Sequence, residues 1–489
     1  MKWLLGKKGV SIHIGGVKLN VEWSVKFLGV HIDYSLSWKK HVAETRKKVL
    51  PRINIFKALA GIRWGSHPAV LLTAYKGLVR SVLEWGCQVM FPLETREGVV
   101  LDRLQYACAR IVSGLMRTTP TSVLLNIVGE QPLRCRHRYL VSKYVCKVCA
   151  RSSHPLRRLL DDSCGTWEPV CPANVFGLFF LYRELQHHLK EVKRFSLPGS
   201  LALPFHVRFF KCEVDTDTGL LIRQAEDPQR YLSNFLRNRD ISRVFFTDGS
   251  RTPGSDEAPP AVGFAVVSEN PELVHYERVS NNSTIFDAEA RGVICALEYL
   301  QDFKFAKVVV ASDSMSVVSC SGSTDPKGAH SPLVYRIKEL VMELRGAGVS
   351  VVLVWVPGHS NVRGNEMADR YAKLALTLTE PRSEGELGVS SLFPTLRQEA
   401  LDMAKRQLLE ESTSKGTAYF LKKPVPLGKP WFVKVKKKKV LPRPLVTLVS
   451  RIRSYSCQST PETEGHCGLL GVPVWSSSTR CKPRFFPMS

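Results

Sequence analysis

No apolar run in this chain approaches the roughly 18 residues that a membrane-spanning helix requires. The longest, 175–182, has the length of an ordinary core segment. A membrane partner is therefore not expected. The start, Met1 to Lys8, carries too short an apolar stretch for a secretory signal. The 13 cysteines are scattered without regular spacing. That excludes a secreted disulfide framework and points to a reducing, intracellular compartment, with nucleus and cytoplasm both open. Cys146 and Cys149 form a lone C-x-x-C in a helical pattern and read as buried helix cysteines rather than zinc ligands. Cys457, His466, Cys467 and Cys481 lack the first C-x-x-C of a zinc knuckle, so a working knuckle is not expected. No internal repeat is present.

Acidic charge is the scarcer sign. The chain has 44 Asp and Glu against 69 Lys and Arg, a net charge of +25. An excess of that size favours a polyanionic partner over mere solubility. Residues 241–378 hold 13 basic and 16 acidic residues, or −3, so the rest of the sequence carries +28. The basic excess lies in the flanks, including the lysine run Lys434 to Lys439. Such a run is a solvated face, a phosphate contact or a nuclear-entry signal.

With 489 residues the chain is long enough for about two to four domains. Residues 1–35 read as short strands with turns at Gly15-Gly16 and near Asp33. Residues 36–155 are helical in pattern, with faces such as Leu71, Leu72, Tyr75, Leu78 and Val79. Residues 156–240 form a mixed connector with little visible chemistry. Residues 241–378 alternate between strand-like and helix-like runs. Residues 379–489 are expected to form a basic, largely disordered tail with one helix near Leu396 to Glu411.

Four acidic residues in 241–378 stand out: Asp248 in T-D-G-S, Glu289 in D-A-E-A, Asp313 in S-D-S and Asp369 in G-N-E-M-A-D. Each lies at the end of an apolar strand-like run or on a helix-like segment. Carboxylates gathered from such places hold two divalent cations about 4 Å apart, an arrangement that stabilises attack and departure at a phosphodiester. One alone is ordinary turn or surface chemistry.

These motifs, in this order, together with the loop Val356-Pro357-Gly358-His359-Ser360, resemble type 1 ribonuclease H over roughly 241–378. The resemblance implies an α/β fold, a five-stranded mixed sheet flanked by helices. Strands are expected at 244–246, 261–267, 273–279, 307–311 and 349–356, and helices at 286–300, 314–320, 331–345 and 364–376. Asp248 and Asp313 are expected at strand ends, with Glu289 and Asp369 reaching in from helices. The implied cofactor is Mg2+, two ions held by those four carboxylates, with Mn2+ able to substitute. His359 is expected to assist proton transfer or product release. Glu366 matches an accessory acidic position or serves the helix surface. Ser250, Asn281 and Asn282 are candidates for contacting the nucleic acid, the asparagines being equally consistent with a simple turn. The implied partner is an RNA–DNA hybrid, with the basic flanks adding nucleic-acid contacts. The oligomeric state is not legible.

Residues 20–155 resemble the segment downstream of the polymerase palm in non-LTR retrotransposon reverse transcriptases. The resemblance rests on K-F-L-G-V-x-I-D, L-S-W at 36–38, Trp64-Gly65, V-L-E-W-G-C at 82–87 and G-E-Q-P-L at 129–133. It implies a primer-grip-like hairpin in 1–35 followed by thumb and connection helices. A palm needs an Asp-Asp pair upstream of such helices. The only Asp-Asp here, Asp161-Asp162, lies after them. The expected activity is endonucleolytic cleavage of the RNA strand of a hybrid, without a polymerase. The alternative is a catalytically idle nucleic-acid-binding remnant.

Overall fold

The computed structural model describes residues 12–19, 23–61, 65–93, 96–162, 173–193, 205–254, 259–269, 272–301, 306–324, 331–378, 387–422, 427–433 and 443–455. The lysine run 434–439, the cysteines beyond 456 and most of the loop before Pro332 lie outside them. The chain divides into two compact units. The first comprises residues 1–41, 84–98 and 133–403, and the second 42–83, 99–132 and 404–489.

The first unit contains the sheet that carries the candidate site. Its strands are β1 (Glu213–Asp215), β2 (Arg243–Thr252), β3 (Ala261–Glu269), β4 (Glu272–Val279), β5 (Lys307–Ser312) and β6 (Ser350–Trp355). Their order is β1-β6-β5-β2-β3-β4. β2, β3 and β4 form an antiparallel meander, while β2, β5, β6 and β1 run parallel. Parallel pairs need crossovers, supplied by α3 (Ile285–Gln301), α4 (Met315–Gly322) and α5 (Pro332–Gly346). The helix α6 (Arg363–Ala375) closes the fold. The Val-rich runs of β5 and β6 are buried along nearly their whole length, as parallel strands covered on both faces must be.

The sheet has six strands, not five. The sixth, β1, comes from the stretch read as a connector. Val352 to Val354 pair in parallel with Glu213 to Asp215 because β6 otherwise leaves a row of unpaired backbone groups. Two further helices, α1 (Asp217–Gln224) and α2 (Pro228–Asn238), follow β1 and bury Ile222 and Leu232 on the sheet. Alternation along β2 splits the core in two. Phe245 packs with α3 and α5, and Phe246 packs with α1, α2 and α6.

The same unit holds two hairpins, Ile12–Ile14 with Val17–Leu19 and Ser24–Phe27 with Val30–Asp33, where strands were expected. A separate helical core joins the helices Leu133–Cys149, Pro155–Asp162 and Ala173–Glu184 with the start of Leu392–Ser412. Cys146 and Cys149 are buried within it, and burial pushes the Cys146 thiol up to about 12. Asp161 accepts from Arg157 at 3.2 Å and from the Tyr182 hydroxyl, so it serves as a helix-surface ion pair.

The second unit is helical among its described residues; its helices before residue 133 follow the sequence pattern, while Thr417–Lys422 and Arg443–Tyr455 correct the expectation of a largely disordered tail. It includes Pro68–Tyr75, Thr121–Val128, Thr417–Lys422 and Arg443–Tyr455. Glu130 is buried and is paired with Arg80 at 2.9 Å and Lys76 at 3.1 Å. Arg443 donates to the carbonyl oxygens of Ser66 and Ile111 at 3.2 and 2.7 Å. No helix among the described residues of either unit is long and apolar enough to cross a membrane.

Candidate functional site

Asp248, Glu289, Asp313, His359, Glu366 and Asp369 line one cleft of about 140 Å³, with Gly249, Gly358 and Asn365 completing its walls. Asp313 follows the last residue of β5, as expected. Asp248 does not lie at a strand end. It is the sixth residue of β2, paired with Ala265 of β3. The parallel pairing with β5 stops one residue earlier, at Thr247 and Ser312. Asp248 thus projects where the neighbouring strand has already ended. β2 runs on because it still has β3 to bond with.

Glu289 enters from the first turns of α3 and Asp369 from α6. Glycine permits this approach. A Cβ on Gly249 would lie 2.7 Å from the Glu289 nitrogen, and one on Gly364 would lie 2.2 Å from the Phe246 ring. A reciprocal cap starts α3. Thr284 N donates to Asp287 Oδ2 at 2.8 Å, and Asp287 N donates back to Thr284 Oγ1 at 3.2 Å.

The electrostatics are those of crowded anions. Burial, followed by the charge of Asp313, raises Asp248 well above the ordinary carboxylate range. Burial also raises Asp313, and the charge of Asp369 adds to that. The two share a hydrogen bond and titrate as a pair. Glu289 is pushed up to about 7, mainly by burial, although the Ser314 hydroxyl donates to its Oε2 and pulls the other way. Asp369 accepts from Lys373 Nζ at 2.7 Å, four residues on along α6.

Among the described residues, the buried Oδ1 atoms of Asp313 and Asn365 at this cleft have no hydrogen-bond partner. Buried acceptors left unpaired beside several carboxylates form a donor set suited to hard divalent cations. On this chemistry the residues present fit the metal that the motifs imply.

His359 lies on the exposed rim with φ of +54°, in a loop closed by Ser360 Oγ donating to Pro357 O at 2.6 Å. A Cβ on the adjacent Gly358 would lie 3.1 Å from Asp313 Oδ2, so the histidine loop comes close to that carboxylate. Glu366 is exposed at the cleft edge. Ser250 lies on β2 two residues beyond Asp248, on the same face, opposite Gly263. Asn281 and Asn282 stand in the turn before α3. They are not among the lining residues of the cleft. Sequence reading passed over Ser314 and Asn365. Both lie inside motifs already noted, S-D-S and G-N-E-M-A-D, and only the packing shows that their side chains serve the site.

The class of this domain follows from that fold and site. Residues 240–377 match the RNase H family, described as RNase H. They form a ribonuclease H domain, that of an enzyme acting on nucleic acid. More particularly, the chain is 26% identical over 139 residues to a retrovirus-related Pol polyprotein from type-1 retrotransposable element R1 of Nasonia vitripennis. The match spans 28% of this chain and 36% of that relative, so the chain covers little more than a third of that relative's length. Among solved structures, RNase H1 from the halophilic archaeon Halobacterium salinarum NRC-1 is similar, with 26% identity over 27% of this chain and 96% of that one and a TM-score of 0.21. The native prototype foamy virus protease–reverse transcriptase is similar at 20% identity over 28% of this chain and 21% of that one, with a TM-score of 0.24.

Proposed function

We propose that this chain is an endonuclease that hydrolyses the RNA strand of RNA–DNA hybrids. The observation that carries this reading is the convergence of Asp248, Glu289, Asp313 and Asp369 on one cleft, with Asp313 Oδ1 buried and unpartnered. These four side chains would hold two Mg2+ ions, with Mn2+ able to substitute. When bound, such ions supply charge stabilisation to the oxygens that enter and leave the scissile phosphate.

The chain's own residues do the rest. Asp248 on β2 and Asp313 just past the end of β5 follow the last paired residues, Thr247 and Ser312, so backbone hydrogen bonds of the sheet set their spacing. The Ser314 hydroxyl orients Glu289. His359, exposed on the rim beside Asp313, would carry a proton between the cleft and solvent. Ser250 and the Asn281–Asn282 turn offer polar contacts to the hybrid, and the basic flanks contact phosphates. The idle-remnant reading is disfavoured by the intact carboxylate set. A polymerase role is disfavoured because Asp161 is spent on Arg157 and Tyr182 at a helix surface.

The test is incubation of the purified chain with a labelled RNA–DNA hybrid, with and without magnesium or manganese. Metal-dependent RNA fragments are expected. A hybrid left intact with either metal would refute the reading.

A further inference from the structure

The turn 280–283 that leads into α3 is held from outside the matched domain. The helix Gln186–Lys190 ends beside it, and Val192 forms a parallel bridge with Leu387. Leu387 N donates to Glu191 O, and Lys193 N donates to Leu387 O, each at 2.9 Å. The stretches before and after the nuclease domain are thus stitched together at this point. Glu191 then reaches into the turn. Its carboxylate accepts from Ser280 Oγ, and from Asn282 Nδ2 at 3.2 Å to each oxygen. His188, buried behind it, places Nδ1 3.2 Å from the same Asn282 nitrogen and Nε2 2.9 Å from Glu399 Oε1.

Donor and acceptor chemistry sets both asparagine amides. A carboxylate only accepts, so the NH2 group of Asn282 must face Glu191. Its Oδ1 therefore faces the other way. An arginine only donates, so Arg278 Nη2, 3.1 Å from Asn281 Oδ1, turns the NH2 group of Asn281 away. Among the described residues neither Asn281 Nδ2 nor Asn282 Oδ1 has a partner, and neither is a buried unpaired atom. The turn presents one free donor beside one free acceptor. The network also fixes the His188 tautomer. Nδ1 accepts from Asn282, so Nε2 carries the proton toward Glu399. The ligand atoms of His187, His188 and Glu399 lie within 4.8 Å of one another. The tautomer nevertheless leaves His188 without a lone pair for a cation, and the group reads as a hydrogen-bond relay.

We propose that Glu191, backed by His188 and Glu399, is a positioning residue that holds the Asn282 carbonyl outward to accept from a ribose 2′-hydroxyl. It thereby sets the preference for an RNA-containing duplex over duplex DNA. A 2′-hydroxyl both donates and accepts, which suits a paired acceptor and donor, whereas deoxyribose offers nothing to Asn282 Oδ1. This rests on the hybrid-cleaving reading above, and adds that a residue outside the matched domain takes part in it.

The experiment uses the full chain and four variants: Glu191→Met, Glu191→Gln, Asn282→Ala, and Glu191→Met combined with Asn282→Ala. Methionine keeps the volume of the glutamate stem but offers no acceptor, and glutamine keeps one. Steady-state hybrid cleavage and inhibition by duplex DNA are measured for each. Glu191→Met should raise KM about fivefold to tenfold, the effect of one lost hydrogen bond, with kcat held. It should strengthen inhibition by duplex DNA relative to hybrid binding. Glu191→Gln should restore most of the loss. In the Asn282→Ala background Glu191→Met should change nothing further, because both remove the same contact. An unchanged KM in Glu191→Met, or an effect that persists without Asn282, would overturn the positioning role while leaving the nuclease intact. Wild-type chain that leaves hybrid uncut would instead overturn the nuclease reading, and this inference with it.

Discussion

The indole Nε1 of Trp355 donates to the main-chain carbonyl oxygen of Asp313 at 3.0 Å. Trp355 ends β6 and Asp313 follows β5, so the bond ties two adjacent strand ends, one of them carrying a carboxylate of the cleft. The Trp355 ring is in turn covered by α1, where a Cβ on Gly219 would meet it at 2.3 Å. The stretch ahead of the nuclease domain therefore supports a site carboxylate through one tryptophan. Trp355→Phe keeps the ring packing and removes the donor. It should cost about 1 kcal/mol of stability and lower turnover severalfold. Melting curves and steady-state kinetics check this, and an unchanged kcat would show that the bond does not position Asp313.

Asp313→Asn should abolish most hybrid cleavage, by orders of magnitude, while the fold survives. The protein without added metal should even gain stability, because burial and the neighbouring Asp369 already disfavour the charged form. Circular dichroism melts in chelator, paired with cleavage assays in magnesium, separate the two effects. Near-normal cleavage would remove Asp313 from the site.

His359→Ala should slow turnover by about a hundredfold if the imidazole moves a proton, and leave hybrid affinity nearly unchanged. Single-turnover and multiple-turnover rates distinguish proton transfer from product departure. Equal rates in mutant and wild type would return His359 to an ordinary exposed loop residue.

A pH dependence is expected in the second unit. Burial, aided by the charge of Glu411, pushes Asp102 from 3.8 up to about 6. The folded chain then binds more protons than the unfolded chain between those values. The favourable contribution is full below pH 3.8 and is lost as pH rises through about 6. Asp102→Asn should therefore stabilise this unit at neutral pH, by on the order of 2 kcal/mol, and do little in acid. Hydrogen exchange in the helix Arg96–Ser113 at both pH values is the measurement. Equal protection of mutant and wild type at neutral pH would contradict the shift.

The charge division gives a salt prediction. Residues 241–378 carry −3 and the rest +28, so the flanks should supply phosphate contacts. Fluorescence-anisotropy titrations should show residues 241–378 binding hybrid more weakly than the full chain, with a shallower dependence on salt. Identical slopes would mean that the basic flanks do not touch the substrate.

Much of the site was legible before folding. Asp248, Glu289, Asp313 and Asp369 each sit in a short local pattern, and the order of strands and helices around them follows from apolar periodicity and turn residues. Such signals survive in one dimension because each depends on neighbours a few residues away. The sixth strand did not announce itself. Three residues, Glu213 to Asp215, are too short to show a period, and only the open edge of β6 makes them a strand. The mid-strand placement of Asp248 was hidden for a related reason. Where β5 stops beside β2 is a property of two distant segments, not of the run that contains Asp248. The connector hid its chemistry in the same way. Glu191 and His188 acquire meaning from Asn282, 91 and 94 residues away along the chain. Local sequence determined which carboxylates could meet and on which elements. Only the tertiary structure decided their depth, their shared protons and the outside residues that orient the rim, because burial and hydrogen-bond partners are set by long-range packing.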